Sequence, residues 1–283
     1  MRKLILVEGL PGSGKTTISK RIYEYTSTIR KTHLYQEGDG HPADLAWCAC
    51  IPVEKLDCIM KEYPKYEMQI KRHMYIEDGY AVFPYTQFPI DDKSFFQLME
   101  SFEVYDNRVG FKTFSDLHIK KWKKFSQQTL EGEAMAVFEC AFLQNHINEL
   151  LLFHCMSEEH IKKYLLNLIS TVNELNPILI YLRQPSVYET IRKVSDIRVN
   201  KEGKQVWMER VISYIQESPF GIAHSLSGFE GMVSYFEFRK EVELNIIKRL
   251  PIDSYIIDNP NYDWVNTWKE IKEILDLHVT KSG

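Results

Sequence analysis

The chain has 283 residues, enough for one large α/β domain with an insertion or for two small domains. Hydrophobic residues make up 44% of it, which supplies a packed core and excludes global disorder. With 35 Lys and Arg against 39 Asp and Glu the net charge is −4, so no basic footprint for nonspecific nucleic-acid binding is present and no nucleic-acid partner is expected.

The five cysteines (Cys48, Cys50, Cys58, Cys140 and Cys155) are odd in number and contain no C-x-x-C pair. That argues against a structural zinc site or a disulfide framework and for free thiols in a reducing, cytoplasmic setting. The basic-then-apolar start is too short for a signal peptide, because Glu8 and a glycine-rich turn follow at once. No stretch approaches the roughly 18 apolar residues of a membrane span, so no membrane contact is expected.

The first predicted element is the apolar run Lys3-Leu4-Ile5-Leu6-Val7, of strand type. A helix over about 15–25 follows, with Ile18 and Ile22 on one face. Between the two lies Gly9-Leu10-Pro11-Gly12-Ser13-Gly14-Lys15-Thr16, which fits G-x-x-x-x-G-K-[ST] in the strand–loop–helix context that gives the pattern meaning. Glycines let backbone N–H groups turn inward and cradle phosphate oxygens. The helix that follows presents the positive end of its dipole to the same anion. Lys15 is placed to reach the β- and γ-phosphates and the Thr16 hydroxyl to ligate Mg²⁺, with Thr17 completing the phosphate-lining stretch. On these residues the chain resembles the P-loop NTPase superfamily, and the resemblance implies a nucleoside triphosphate with Mg²⁺.

A second strand is predicted at 32–36, ending in the turn-rich acidic loop 37–42. From about 43 to 132 the pattern changes to many aromatics with no strand run of the buried parallel kind. Here 73–83 reads as a hairpin with Asp78-Gly79 at its tip, and 56–63 and 115–130 read as helices. Such a length is too long for a plain loop. A mainly helical insertion with a small hairpin is expected, forming a substrate cap on one P-loop kinase-like domain whose core is 1–42 and 133–283.

The main sheet resumes at 134–139, apolar and closed by Glu139. A helix over 157–175 follows, with Ile161, Leu165, Leu168 and Val172 on one face and Ser157 as its N-cap. A buried strand at 177–182 leads through Pro185-Ser186 into a helix to about 197. Helical patterns then cover 205–217 and 233–250. A last strand at 254–258 precedes a helix with Trp264, Trp268, Ile271 and Leu275 on one face. Five short buried strands separated by helices predict a five-stranded parallel sheet covered on both faces, a three-layer α/β/α fold. Ligands of such sheets sit at the carboxyl ends of the strands, where 9–16, 37–41, 139–145, Arg183 and Asp258 fall.

Glu139 ends its strand as the Walker B acid does in P-loop proteins; a carboxylate there holds Mg²⁺ or positions the nucleophile, unless it is simply a charge where a strand meets solvent. Asp39 is placed to take the proton of a substrate hydroxyl as it attacks the γ-phosphorus. The loop Glu37-Gly38-Asp39-Gly40-His41 is similar to that of P-loop small-molecule kinases, such as those for adenylyl sulfate, gluconate and shikimate, which carry a substrate-contacting acid after the second strand. Glu37 is the nearest competitor, a plain Gly-Asp-Gly turn is the other reading, and His41 reads as a polar loop residue rather than a base.

Arg183, Arg192 and Arg198 surround the fourth strand and its helix, with Lys193 and Lys204 nearby. In nucleotide kinases this region is a lid whose arginines neutralise the transferring phosphoryl group, and that resemblance favours Arg192; a solvated basic helix face is the alternative. Gln144-Asn145 is a substrate contact or an ordinary polar loop. The loop 258–261 lacks N-K-x-D, so ATP rather than GTP is expected. The aromatics Trp47, Tyr63, Tyr66, Tyr75, Tyr80, Phe83 and Tyr85 read as cap core rather than a stacking platform.

The expected activity is phosphotransfer by Lys15, Asp39, Glu139 and Arg192 from ATP·Mg²⁺ to a small-molecule acceptor such as a nucleoside, nucleotide, sugar or antibiotic. The protein is expected as a monomer or homodimer. The alternatives are an ATPase or nucleotide-dependent switch acting on a protein partner, and a nucleotide-binding module without catalysis.

Overall fold

The computed structural model describes residues 2–38 and 40–280. The strands among them are β1 (Leu4–Gly9), β2 (Thr32–Tyr35), β3 (Cys48–Pro52), β4 (Tyr75–Glu77), β5 (Tyr80–Pro84), β6 (Met135–Glu139), β7 (Ile178–Arg183) and β8 (Asp253–Asp258). Two compact units emerge. One comprises residues up to Gln36 with those from Ser126 onward, the other Glu37–Phe125.

The first unit is built on a five-stranded sheet ordered β2-β6-β1-β7-β8, and every pairing in it is parallel. This order puts β1, which leads into the glycine-rich turn, at the centre. Strand alternation divides its side chains between two buried faces. Ile5, Val7, Val137, Ile178, Ile180 and Leu182 join one core cluster with Ile18 and Ile22 of the helix Lys15–Ser27 and Ile271 and Leu275 of the helix Trp264–Leu275. Leu4, Leu6, Glu8, Leu179 and Tyr181 are buried on the other face, where Tyr181 reaches Glu243 of the helix Gly228–Ile247. The parallel sheet covered on both faces is the architecture the apolar runs predict.

The helix Glu158–Ser170 stops short of the predicted end, and Val172 is buried beyond it. Ser157 precedes it but does not cap it: its hydroxyl lies 2.8 Å from His160 Nδ1 and makes no bond to a backbone amide of the first turn. By contrast Ser186 caps the helix Val187–Ile197 through the amide of Glu189.

The second unit carries an antiparallel sheet ordered β3-β5-β4. The hairpin β4–β5 turns at Asp78 and Gly79, both at positive φ. Its partner β3 has no counterpart among the predicted strands, because Cys48-Ala49-Cys50-Ile51 is short, holds a weak strand former and finds its hydrogen bonds on a strand far along the chain. Ala49, Ile51, Ala81 and Phe83 form a core with Leu56 and Ile59 of the helix Val53–Glu62 and Phe95 and Met99 of the helix Lys93–Glu100. Tyr66 stacks on Phe95 with centroids 4.1 Å apart, so this aromatic is core. The unit begins and ends a few residues before the 43–132 span read from the sequence, and the division falls within the helix Phe111–Glu131.

Candidate active site

The turn after β1 has the backbone its glycines are needed for. Gly9, Gly12 and Gly14 have φ of 145°, 79° and 98°, a region L side chains rarely enter. Space is as restrictive as torsion: a Cβ on Gly9 would lie 2.6 Å from the Leu182 carbonyl oxygen, and one on Gly12 3.0 Å from Val194 Cβ. The strand β7 and the helix Val187–Ile197 therefore pack directly against the turn. Lys15 is buried, and its Nζ donates to the carbonyl oxygens of Gly9 and Leu10 at 2.8 and 2.9 Å. The ammonium thus lies along the inner edge of the turn.

Thr16 and Thr17 open the helix Lys15–Ser27 and are both exposed. The Thr16 hydroxyl donates to Glu139 Oε1 at 2.5 Å. Ser19 donates to Glu139 Oε2 at 3.4 Å and Gln36 Nε2 to the same oxygen at 3.0 Å. Three donors from two segments, the helix Lys15–Ser27 and the end of β2, thus converge on a carboxylate that is 6% exposed, which explains how a charge is accommodated there. The position is set by β6 lying beside β1, with Glu139 in register with Val7.

Glu8, which the motif reading leaves aside, points to the opposite face of the sheet and is 1% exposed. Its carboxylate accepts the backbone amides of Phe142 at 2.8 Å and Gln144 at 3.1 Å. Burial pushes its pKa up to about 7, against the pull of the amides of Phe142, Leu143 and Gln144 and with a small further rise from the Glu243 charge. The available signal was the charged residue itself, set in an apolar strand immediately before the turn.

Beyond Glu8 lies a buried polar chain. Tyr181 OH donates to Glu243 Oε2 and Arg239 Nε to Glu243 Oε1, each at 2.6 Å. Arg239 Nη1 and Tyr235 OH both donate to Asn148 Oδ1, at 2.9 and 2.6 Å. Nothing in local patterning marks Arg239 and Glu243 as buried, since a charged i,i+4 pair on a helix is ordinarily a surface feature.

The remaining predicted residues fall in several places. Asp39 lies outside the described residues. Arg192 is exposed on the helix Val187–Ile197 and makes no hydrogen bond or ion pair among the described residues. Arg183 forms a two-point ion pair with Asp258, at 2.6 and 2.7 Å, in place of a free strand-end cation. In-register neighbours on parallel strands meet there. Arg198 sits over the ring of Trp207 at 4.9 Å, and Lys193 over that of Tyr262 at 3.9 Å. Gln144 and Asn145 are both buried. His41 is a turn-former: its Nδ1 accepts the amides of Ala43 and Asp44, and burial lowers its pKa to about 4. Asn259 is fully buried; its Oδ1 accepts from Thr267, and its Nδ2 lies 3.6 Å from where a Cβ on Gly14 would be, with no hydrogen-bond partner among the described residues.

None of the five cysteines forms a disulfide. Among the described residues no helix is long and apolar enough to cross a membrane.

The sequence matches no protein-family model and no curated protein. Among solved structures, it aligns over 97% of its length with 98% of thymidylate kinase from Ehrlichia chaffeensis, at 13% identity and a TM-score of 0.41. Alignment with thymidylate kinase from Candida albicans covers 98% of this chain and 92% of that one, again at 13% identity and a TM-score of 0.41. Superposition at that level decides nothing by itself. The deciding features are internal: a parallel sheet ordered β2-β6-β1-β7-β8, a P-loop-type glycine turn leaving its central strand and a carboxylate closing the strand beside it give this chain a three-layer α/β fold.

Proposed function

We propose that this protein is an ATP-dependent phosphotransferase that moves the γ-phosphate of ATP to a hydroxyl or phosphate of a small molecule. The observation that carries this reading is the contact between Thr16 and Glu139 at the mouth of the glycine turn. A hydroxyl and a carboxylate are hard oxygen donors of the kind Mg²⁺ prefers, and these two come from a helix start and a strand end to one point. Thr16 and Glu139 would hold the ion. When bound, Mg²⁺ would offset the negative charge of the phosphates and of the transferring group.

The chain's own groups supply the rest. Amides of the turn 9–16 bind phosphate oxygens, which approach closely because no Cβ stands in the way at Gly9, Gly12 or Gly14. Lys15 gives up its contacts to Gly9 and Leu10 for the β- and γ-phosphates. Asn259 supplies a hydrogen-bond donor beside Gly14. In this reading Asp39 takes the acceptor's proton and Arg192 balances charge on the transferring group. The acceptor is a small molecule of the nucleoside, nucleotide, sugar or antibiotic kind, with the segment 43–132 acting as its cap.

The test is incubation of the purified protein with γ-labelled ATP, Mg²⁺ and a metabolite panel, alongside ATP binding by wild type and Lys15→Ala. Wild type transfers label to an acceptor. Lys15→Ala binds ATP·Mg²⁺ about 10–100-fold more weakly, the size of a lost hydrogen bond to a charged group. Tight ATP binding with no acceptor labelled, and hydrolysis stimulated by a protein partner, would instead support a nucleotide switch.

A further inference from the structure

We infer that Glu8 is a positioning residue of the phosphate site, holding in place the backbone that leaves β6. It deepens the phosphotransferase reading and rests on it. Glu8 immediately precedes Gly9 of the phosphate turn, yet its side chain crosses to the neighbouring strand's exit and accepts the amides of Phe142 and Gln144. The chain reaches that carboxylate by turning at Cys140, whose φ is +65°. The segment so anchored starts one residue after Glu139 and carries Gln144 and Asn145, the first residues of the helix Gln144–Asn148. Amides at a helix start have no intrahelical partner and favour an anion. One buried carboxylate therefore joins the residue before the phosphate turn to the segment that follows the candidate Mg²⁺ ligand.

The ionisation of Glu8 decides whether this anchor holds. An ionised carboxylate only accepts, so both oxygens match amide donors; a protonated one turns an O–H toward one of them. The titratable groups that interact with Glu8 are Tyr181 from β7 and Glu243 from the helix Gly228–Ile247. Arg239 is already committed to Glu243 and Asn148, so it does not neutralise Glu8. Burial holds the pKa near 7, so the anchor loosens as solutions become mildly acidic. Glutamine has the shape of the protonated acid and, like it, keeps one carbonyl oxygen as its strong acceptor. Glu8→Gln therefore reproduces the low-pH enzyme at every pH.

Two measurements test this. In the first, phosphotransfer is followed from pH 5.5 to 8.5. Wild type loses rate as pH falls through about 7, whereas Glu8→Gln is about 10–100-fold slower at pH 8, the range seen when the support of a functional ligand is removed. That limb of its profile is flat, and it still binds ATP. In the second, the amide signals of Phe142, Leu143 and Gln144 are followed by NMR in ¹⁵N-labelled wild type without nucleotide. They shift together with one midpoint near neutrality. Wild-type rate and profile in Glu8→Gln, or amide signals that ignore pH, would overturn the inference. If wild type neither binds ATP nor transfers phosphate, the function reading falls and the amide titration alone still decides the anchor. It also decides should Glu8→Gln not fold.

Discussion

Thr16 Oγ1 and Glu139 Oε1 lie 2.5 Å apart although 123 positions separate them in the chain. The first turn of the helix Lys15–Ser27 and the last residue of β6 are thereby brought to one point. Replacing Glu139 by Gln removes the charge and keeps the shape. The expected outcome is a Mg²⁺ titration midpoint raised about 10–100-fold with the fold intact, read by rate against Mg²⁺ concentration and by circular dichroism. An unchanged midpoint would remove Glu139 from the site.

Gly14 is held by torsion and by an aromatic neighbour. Its φ is +98°, and a Cβ would lie 2.4 Å from Trp264 Cη2 and 2.8 Å from Cζ3. Gly14→Ala is expected to cost about 1–3 kcal/mol in urea unfolding, to shift tryptophan emission and to weaken ATP binding. Gly79→Ala isolates the torsional part, because Gly79 has φ +83° and nothing within 4 Å. It is expected to lose less stability and to leave the emission where it was.

Glu8 also leaves a mark on stability. Its folded pKa is raised from 4.5 to about 7, so the folded state binds the proton more tightly than the unfolded one. The contribution is full below pH 4.5 and is lost as pH rises to about 7, a change of about 3 kcal/mol at most. Urea unfolding at a series of pH values should show wild type losing stability relative to Glu8→Gln across that window. Parallel curves would mean that Glu8 is not buried as described.

Arg239 and Glu243 form a buried pair at 0% and 1% side-chain exposure. Removing one member strands the other charge away from water. Arg239→Ala should cost about 3–5 kcal/mol in urea unfolding. The double replacement Arg239→Met with Glu243→Leu should recover much of that, because no lone charge remains. Additive losses in the double variant would show that the pair stabilises the fold beyond mutual neutralisation.

Where the sequence succeeds, the causes are short in range. Eight consecutive residues, 9–16, encode the turn, because its torsions need glycine where glycine stands. The apolar runs of β1, β6 and β7 reveal strands because both faces of the sheet are covered. No local pattern marks β3, because cysteine and alanine carry none of their own, and β5, which pairs with it, lies beyond two intervening helices. Ser157 is a cap by residue type, but its hydroxyl pairs with His160 instead.

The sequence by itself determined that a phosphate-type turn joins a buried strand to a helix, and that a carboxylate closes another apolar strand. Only the tertiary structure decided who meets whom. The order β2-β6-β1 brings Gln36, Thr16 and Ser19 to Glu139. Parallel register pairs Arg183 with Asp258, removing from the free cations one that composition alone would count. The same packing sends Glu8, one residue from the motif, to the far face of the sheet and to the amides after β6. Torsional preference and hydrophobic period act within a few residues and can be read along a chain; the partner of a buried charge is fixed by sheet order and register, which join residues more than a hundred positions apart.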